Sequence, residues 1–157
     1  MSVAFRRDCD EEHLEPKFEL PLPPGPNIVT PRGLALIEAR NAALDLEIEA
    51  AAPERREALL RDRRYWRSRL ATAQLPPVPT GETVAIGTRV SIDQDGRVRV
   101  LEIVGHDESD PGAGQIAFGA PLAQALMGSA VGEEVESPGP NGTIVVVAIE
   151  VRGDLID

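Results

Sequence analysis

A single cysteine in 157 residues, Cys9, excludes an intrachain disulfide framework and a thiolate zinc site, and fits a reducing compartment. The two histidines, His13 and His106, have no second His or Cys at metal-ligand spacing, so neither a metal centre nor a cofactor is expected. Aromatics are scarce: one Trp, one Tyr and three Phe. From residue 76 onward only Phe118 could line a pocket of the aromatic kind that small-molecule sites favour. No run of about 18 apolar residues could cross a membrane. The N-terminus, with Arg6 and Arg7 followed by Asp8, Asp10, Glu11 and Glu12, lacks the apolar core of a signal peptide. A soluble cytoplasmic protein with no membrane partner is expected.

Catalytic constellations are missing as well. Ser91, Ser109, Ser129 and Ser137 lack a nucleophile-elbow context. Gly112, Gly114 and Gly119 are not followed by a helix and a Lys as a phosphate-cradling loop requires. His106 with Asp107, Glu108 and Asp110 lacks the ligand spacing of a hard-cation loop and reads as a solvated acidic loop. The residues therefore point away from an enzyme.

Charge is present but uneven. The chain carries 26 acids against 16 bases, a net charge of -10. Residues 1–29 hold six acids against three bases, residues 30–75 seven against nine, and the remainder thirteen against four. Nucleic-acid affinity is mostly phosphate neutralisation, so acidity argues against duplex binding for the C-terminal part only. Residues 1–29 show no apolar period and end in PLPPGPN. They are predicted to be a disordered acidic and Pro-rich leader, too poor in apolar surface to offset its ordering entropy.

Residues 30–75 read as a short antiparallel coiled-coil hairpin. Thr30 can cap its first helix, with Pro31 at the first helical position. Leu34, Ile37, Asn41, Leu44, Ile48 and Ala51 recur at spacings of three and four before Pro53. Arg56, Leu59, Arg63, Trp66, Leu70 and Ala73 do so after it, which makes a seam on each of two helices. With a reversal near Ala52, opposed positions sum to about 104. Leu34 then faces Leu70, Ile37 faces Trp66 or Arg67, and Leu44 faces Leu59 or Leu60. Asn41 meets Arg63, a polar pair that would fix register at some cost in stability. Each arm of about 20 residues reaches only about 30 Å. Residues 55–69 hold seven Arg against two acids, Glu57 and Asp62. Arg55, Arg56, Arg63, Arg64 and Arg67 read either as partners of Glu38, Asp45, Glu47 and Glu49 on the opposite arm or as a phosphate-facing patch.

Residues 76–82, PPVPTGE, form a linker. Beyond them Val84, Ile86, Val90 and Ile92 suggest one strand, RVRVLEIVG a second after a turn at DQDG, GQIAF a third and GTIVVVAIEV the last. PLAQALMG, with Pro at its start and Gly at its end, suggests one short helix. Residues 83–157 are thus predicted to be a small antiparallel sheet with one helix on a face, and the whole chain to be α+β.

Residues 102–151 resemble the C-terminal domain of the bacterial Gre transcript-cleavage and elongation factors, GreA and GreB. The resemblance rests on Val104, Gly105, Glu108, Asp110, Gly114, Ile116, Pro121, Leu122, Ala123, Ala125, Leu126, Gly128, Val131, Gly132, Gly142 and Ile149, in the family's order and spacing. VTPRGLALIEA and RYWRSRLATAQL resemble, more weakly, the start and end of its helical hairpin. The resemblance implies an FKBP-like C-terminal domain that docks on core RNA polymerase at the rim of the secondary channel. By position, the docking residues would be Asp110, Ala120, Pro121 and Leu122. It further implies a coiled coil that enters the channel, with a basic surface near RNA corresponding to Arg55, Arg56, Arg63, Arg64 and Arg67.

Two departures stand out. Where the family carries a long insertion with an acidic, magnesium-holding tip, this chain has only EIEAAAPERR, with no Asp at the turn. The Ser before the docking Pro is Ala120, and the Lys after the helix is Ser129. The expected function is therefore a monomeric polymerase-binding transcription regulator that does not stimulate RNA cleavage and that contacts nascent RNA at most indirectly. The alternatives are a true cleavage or elongation factor with divergent acids, a prolyl isomerase and a plain interaction module.

Overall fold

Thr30 opens the first helix: its hydroxyl accepts from the Gly33 N–H at 3.0 Å, and Pro31 takes the first helical position, where its missing donor costs nothing. The computed structural model describes residues 19–140 and 142–153. Helix α1 spans Pro31–Ala50 and α2 spans Pro53–Thr72. The residue before a proline is driven to extended backbone. Ala52 is accordingly extended, as is Ala51, and these two residues make the whole reversal.

The hairpin core is thin. Ile37, Leu44 and Ile48 of α1 are buried, and Leu59 of α2 packs on Leu44 and Ile48, with Ala51, Leu60 and Trp66 half-buried around them. The expected register holds at this end, where Leu44 and Leu59 meet. It fails for the polar pair: the Asn41 side chain donates to the carbonyls of Ile37 and Trp66 at 2.9 and 3.0 Å, while Arg63 reaches Asp45 at 3.3 Å. A guanidinium long enough to leave the seam finds a carboxylate in solvent and avoids the cost of burial. Leu70, expected in the seam opposite Leu34, is exposed.

Five strands follow: β1 Thr88–Gln94, β2 Arg97–Val104, β3 Gln115–Ala117, β4 Glu134–Glu136 and β5 Thr143–Val151, in the order β3-β2-β1-β5-β4. Asp95 and Gly96 join β1 to β2 with φ of 56° and 80°, the left-handed pair a two-residue hairpin needs. The short helix α3, Pro121–Leu126, lays Ala123 and Leu126 on a core of Val90, Ile92, Leu101, Ile103, Ile144 and Val146.

Three details depart from expectation. The sheet is mixed, since β3 runs parallel to β2. Val84 and Ile86 are buried but precede the first strand, because alternation reports burial and not pairing. The three-residue strand β4 is too short to leave a periodic signal. The leader was also expected to run loose to residue 29. Its last residues are bound instead: Asn27 and Val29 are buried, and Val29 donates to the Gln74 carbonyl at 2.9 Å. The rest of that expectation, over residues 1–18, lies outside the described residues.

Candidate functional site

The four residues placed on the docking face come together along one sheet edge. Asp110 sits just before β3, with its backbone paired to Gln115 in both directions at 2.8 and 3.0 Å. Beyond β3, Ala120 caps α3 and Pro121 starts it. The edge strand between them is only three residues, roughly 10 Å, long. Asp110 and Pro121 are exposed, and Leu122 is half-buried against the core and fixes the helix to the sheet. An open groove of about 590 Å³ lies between the leader prolines Pro23, Pro24 and Pro26 and the loop residues Phe118, Gly119 and Ala120. Phe118 is its single aromatic wall.

The loop that joins β2 to β3 holds what sequence reasoning missed. Asp107 and Glu108, expected to be solvated, are both bound to the helical hairpin. The Glu108 carboxylate accepts from the Thr30 hydroxyl at 2.7 Å, the Thr30 N–H at 3.0 Å and the Gly105 N–H at 3.1 Å. Arg32 stands 3.8 Å from it. There is no room for a side chain at Gly33, because a Cβ there would collide with this carboxylate. Gly105 is equally confined, since its Cβ would lie 2.7 Å from the Ile28 carbonyl oxygen.

Beside it, Asp107 accepts from the Arg69 Nε–H and from the Tyr65 hydroxyl, each at 2.6 Å. The Arg69 and Asp107 side chains are only 5% and 4% exposed, which sets this ion pair apart from the exposed ones of the hairpin surface. Arg69 also donates to Asn27 Oδ1, and Asn27 returns a bond to the Arg69 carbonyl, each at 2.7 Å. Three segments distant in sequence, at Asn27 and Thr30, at Tyr65 and Arg69, and at Asp107 and Glu108, thus close one polar joint between hairpin and sheet. The available sequence signal was a pair of adjacent carboxylates beside Gly105, with Thr30 and Gly33 spaced one helical turn apart.

Burial pushes the Tyr65 hydroxyl up to about 12, and the hydrogen bond and negative charge of Asp107 add to the effect. A raised folded-state value means that the protonated tyrosine stabilises the fold. That stability is complete below the unfolded value near 10 and is lost as pH rises toward 12. Absorbance titration of the single tyrosine is expected to show ionisation displaced upward from the ordinary value. In Tyr65→Phe the stability loss across that window should shrink; an unchanged alkaline slope would contradict the assignment.

The basic residues of α2 are less free than their spacing suggests. Arg63 and Arg67 share Asp45 of the opposite arm at 3.3 and 3.6 Å, as one of the two sequence readings expected. Arg64 pairs with Glu19 of the leader through Nε at 2.8 and 2.9 Å, a partner neither reading named. Arg56 donates to the Ile48 carbonyl at 3.2 Å, across the turn. Arg55 is exposed near the tip. At the turn itself the nearest carboxylates are Glu49 and Glu54, both exposed on separate helices. Among the described residues no group of three or more His, Cys, Asp or Glu could hold a metal ion. The tip therefore does not fit the magnesium ion that the family resemblance implies, and no step is derived through one. Among the described residues no helix is long and apolar enough to cross a membrane.

Comparison with known proteins converges on one family. Residues 79–152 match the family described as transcription elongation factor, GreA/GreB, C-term. The chain is 33% identical over 128 residues to the transcription elongation factor GreA of Desulfovibrio desulfuricans, covering 76% of this chain and 78% of that one. It is 34% identical over 131 residues to GreA of Solidesulfovibrio magneticus, covering 78% and 79%. With GreA of Thermomicrobium roseum it shares 33% identity over 96 residues, 61% of this chain and 62% of that protein's length. Among solved structures, GreA factor homolog 1 of Thermus thermophilus overlaps 80% of this chain and 99% of its own, at 17% identity and a TM-score of 0.40. At that score the overlap carries no weight.

Proposed function

The chain belongs to the Gre family of transcription elongation factors, and from that premise we propose that it binds core RNA polymerase as a monomer without stimulating RNA cleavage. In this reading the sheet domain docks at the secondary-channel rim through Asp110, Ala120, Pro121 and Leu122, and the hairpin points into the channel. It is a regulator of transcription and not an enzyme. The observation that carries the reading is the hairpin turn. Two 20-residue helices, each about 30 Å long, meet at Ala51 and Ala52 with no carboxylate between them. An arm that is too short cannot place an acid at a reacting centre, and a misplacement of about 1 Å already costs on the order of 10²-fold in rate. The basic arm of α2 would then face RNA or the channel wall as a positioning surface.

Two measurements test this. Core polymerase is expected to retain the chain, and Asp110→Lys should weaken binding by about tenfold or more, equivalent to about 1.4 kcal/mol for one reversed interface charge. Because Asp110 is exposed, the variant should keep its thermal transition. In backtracked complexes, cleavage should stay at the polymerase's own rate over the concentrations that saturate binding. Strong stimulation would overturn the regulatory half of the proposal, and no polymerase binding would overturn all of it.

A further inference from the structure

The leader does not leave the molecule where the hairpin begins. Asn27 is held by Arg69 at one end of α2, and residues 19–26 then run toward the tip, so that Glu19 reaches Arg64. Five helical residues separate those two anchors, about 7.5 Å along the axis. Arg61, Arg64 and Arg67 follow at intervals of three and share a face of α2. Ahead of Glu19 the chain carries Asp8, Asp10, Glu11, Glu12 and Glu15.

We propose that this acidic N-terminal segment is an intramolecular occupant of the Arg-rich face of α2, continuing the contact that Glu19 begins at Arg64. Charge complementarity selects the location. Residues 55–69 carry seven Arg against two acids, whereas residues 76–157 carry thirteen acids against four bases and repel the segment. Reach permits it. Glu12 and Asp8 lie seven and eleven residues before Glu19, an extended span of about 25 and 40 Å, while Arg55 is only about 13 Å further along α2 than Arg64. Tethering supports it, because a short linker holds its cargo at an effective concentration of about a millimolar or more. Carboxylates on guanidinium groups occupy the positions that phosphates would take, so the segment competes with any polyanion approaching α2.

The contact exists or not in the free chain, whether or not the protein binds polymerase. Cys9 is the only cysteine and lies between Asp8 and Asp10, which places a probe inside the acidic run without any mutation. A spin label on Cys9 in the full chain should broaden the backbone amides of Arg61 and Arg64 at low salt, relative to a diamagnetic label at the same site. The loss of intensity should disappear in about 1 M salt, where the screening length falls to about 3 Å. It should also disappear when Asp8, Asp10, Glu11 and Glu12 are replaced by Asn and Gln. Arg61→Gln with Arg64→Gln gives the reciprocal loss, and an unchanged amide spectrum elsewhere checks the fold. No broadening at low salt, or broadening that survives both salt and the neutral leader, overturns the proposal. Broadening seen only between separately labelled chains assigns the face to a second copy and overturns it as well.

Discussion

Arg69→Ala is expected to be the most damaging single substitution in this chain, at about 3–5 kcal/mol. It leaves Asp107 as a buried carboxylate without its cation, and breaking one side of a buried pair costs about that much. The surface pairs Arg63 with Asp45 and Arg40 with Glu47, exposed on both sides, should each matter by less than about 1 kcal/mol. The loss at position 69 should also spread, because the same guanidinium holds Asn27 and therefore the end of the leader. Thermal unfolding should begin on the order of 10 °C lower. A double-mutant cycle with Asp107→Asn separates the pair from packing: the second substitution should cost little once the first is made. Equal costs in both backgrounds would show that Arg69 acts by bulk alone.

Gly33→Ala is the second. Alanine is normally the better helix residue by about 0.5–1 kcal/mol, and Gly33 lies in the first turn of α1, so propensity alone predicts a gain. Close packing reverses the sign. The new Cβ would occupy the place of the Glu108 carboxylate, which must swing away from the N–H groups of Thr30 and Gly105. Each buried donor left without an acceptor costs about 1–3 kcal/mol, so a loss of about 2–5 kcal/mol is expected. In a Glu108→Ala background the collision is gone, and Gly33→Ala should then be neutral or slightly stabilising. Denaturant titration of the four proteins reads this directly. An equal loss in both backgrounds would place the cost in the backbone and not in the contact.

These two expectations mark where the sequence was legible and where it was not. The hairpin could be read because its signals are local. Thr30 with Pro31 starts one helix, Pro53 starts the next, and Ile37, Leu44 and Ile48 recur on one face. The Asp95–Gly96 turn was equally plain, since few residues accept its left-handed backbone. The direction of β3 could not be read, because three residues carry no information about which neighbour they join or in which sense. Asp107 and Glu108 were misjudged for a different reason. Adjacent acids in a loop are solvated in most proteins, and only the arrival of Arg69, Tyr65 and Thr30 makes their burial affordable. The docking edge stands between these cases. Its motif, from Asp110 to Leu122, is contiguous and recognisable, but the parallel pairing that sets its two ends on one edge is tertiary.

The sequence by itself determined the family, the order of the elements and the length of the hairpin. A helix advances a fixed 1.5 Å per residue, so 20 residues per arm and an alanine turn settle how far the tip extends and what it lacks. Only the tertiary structure decided which charges are spent inside the molecule. Glu108 meets Thr30 across 78 residues and Asp107 meets Arg69 across 38. Whether a carboxylate is a solvated surface group or a buried clasp depends on donors that no local window contains.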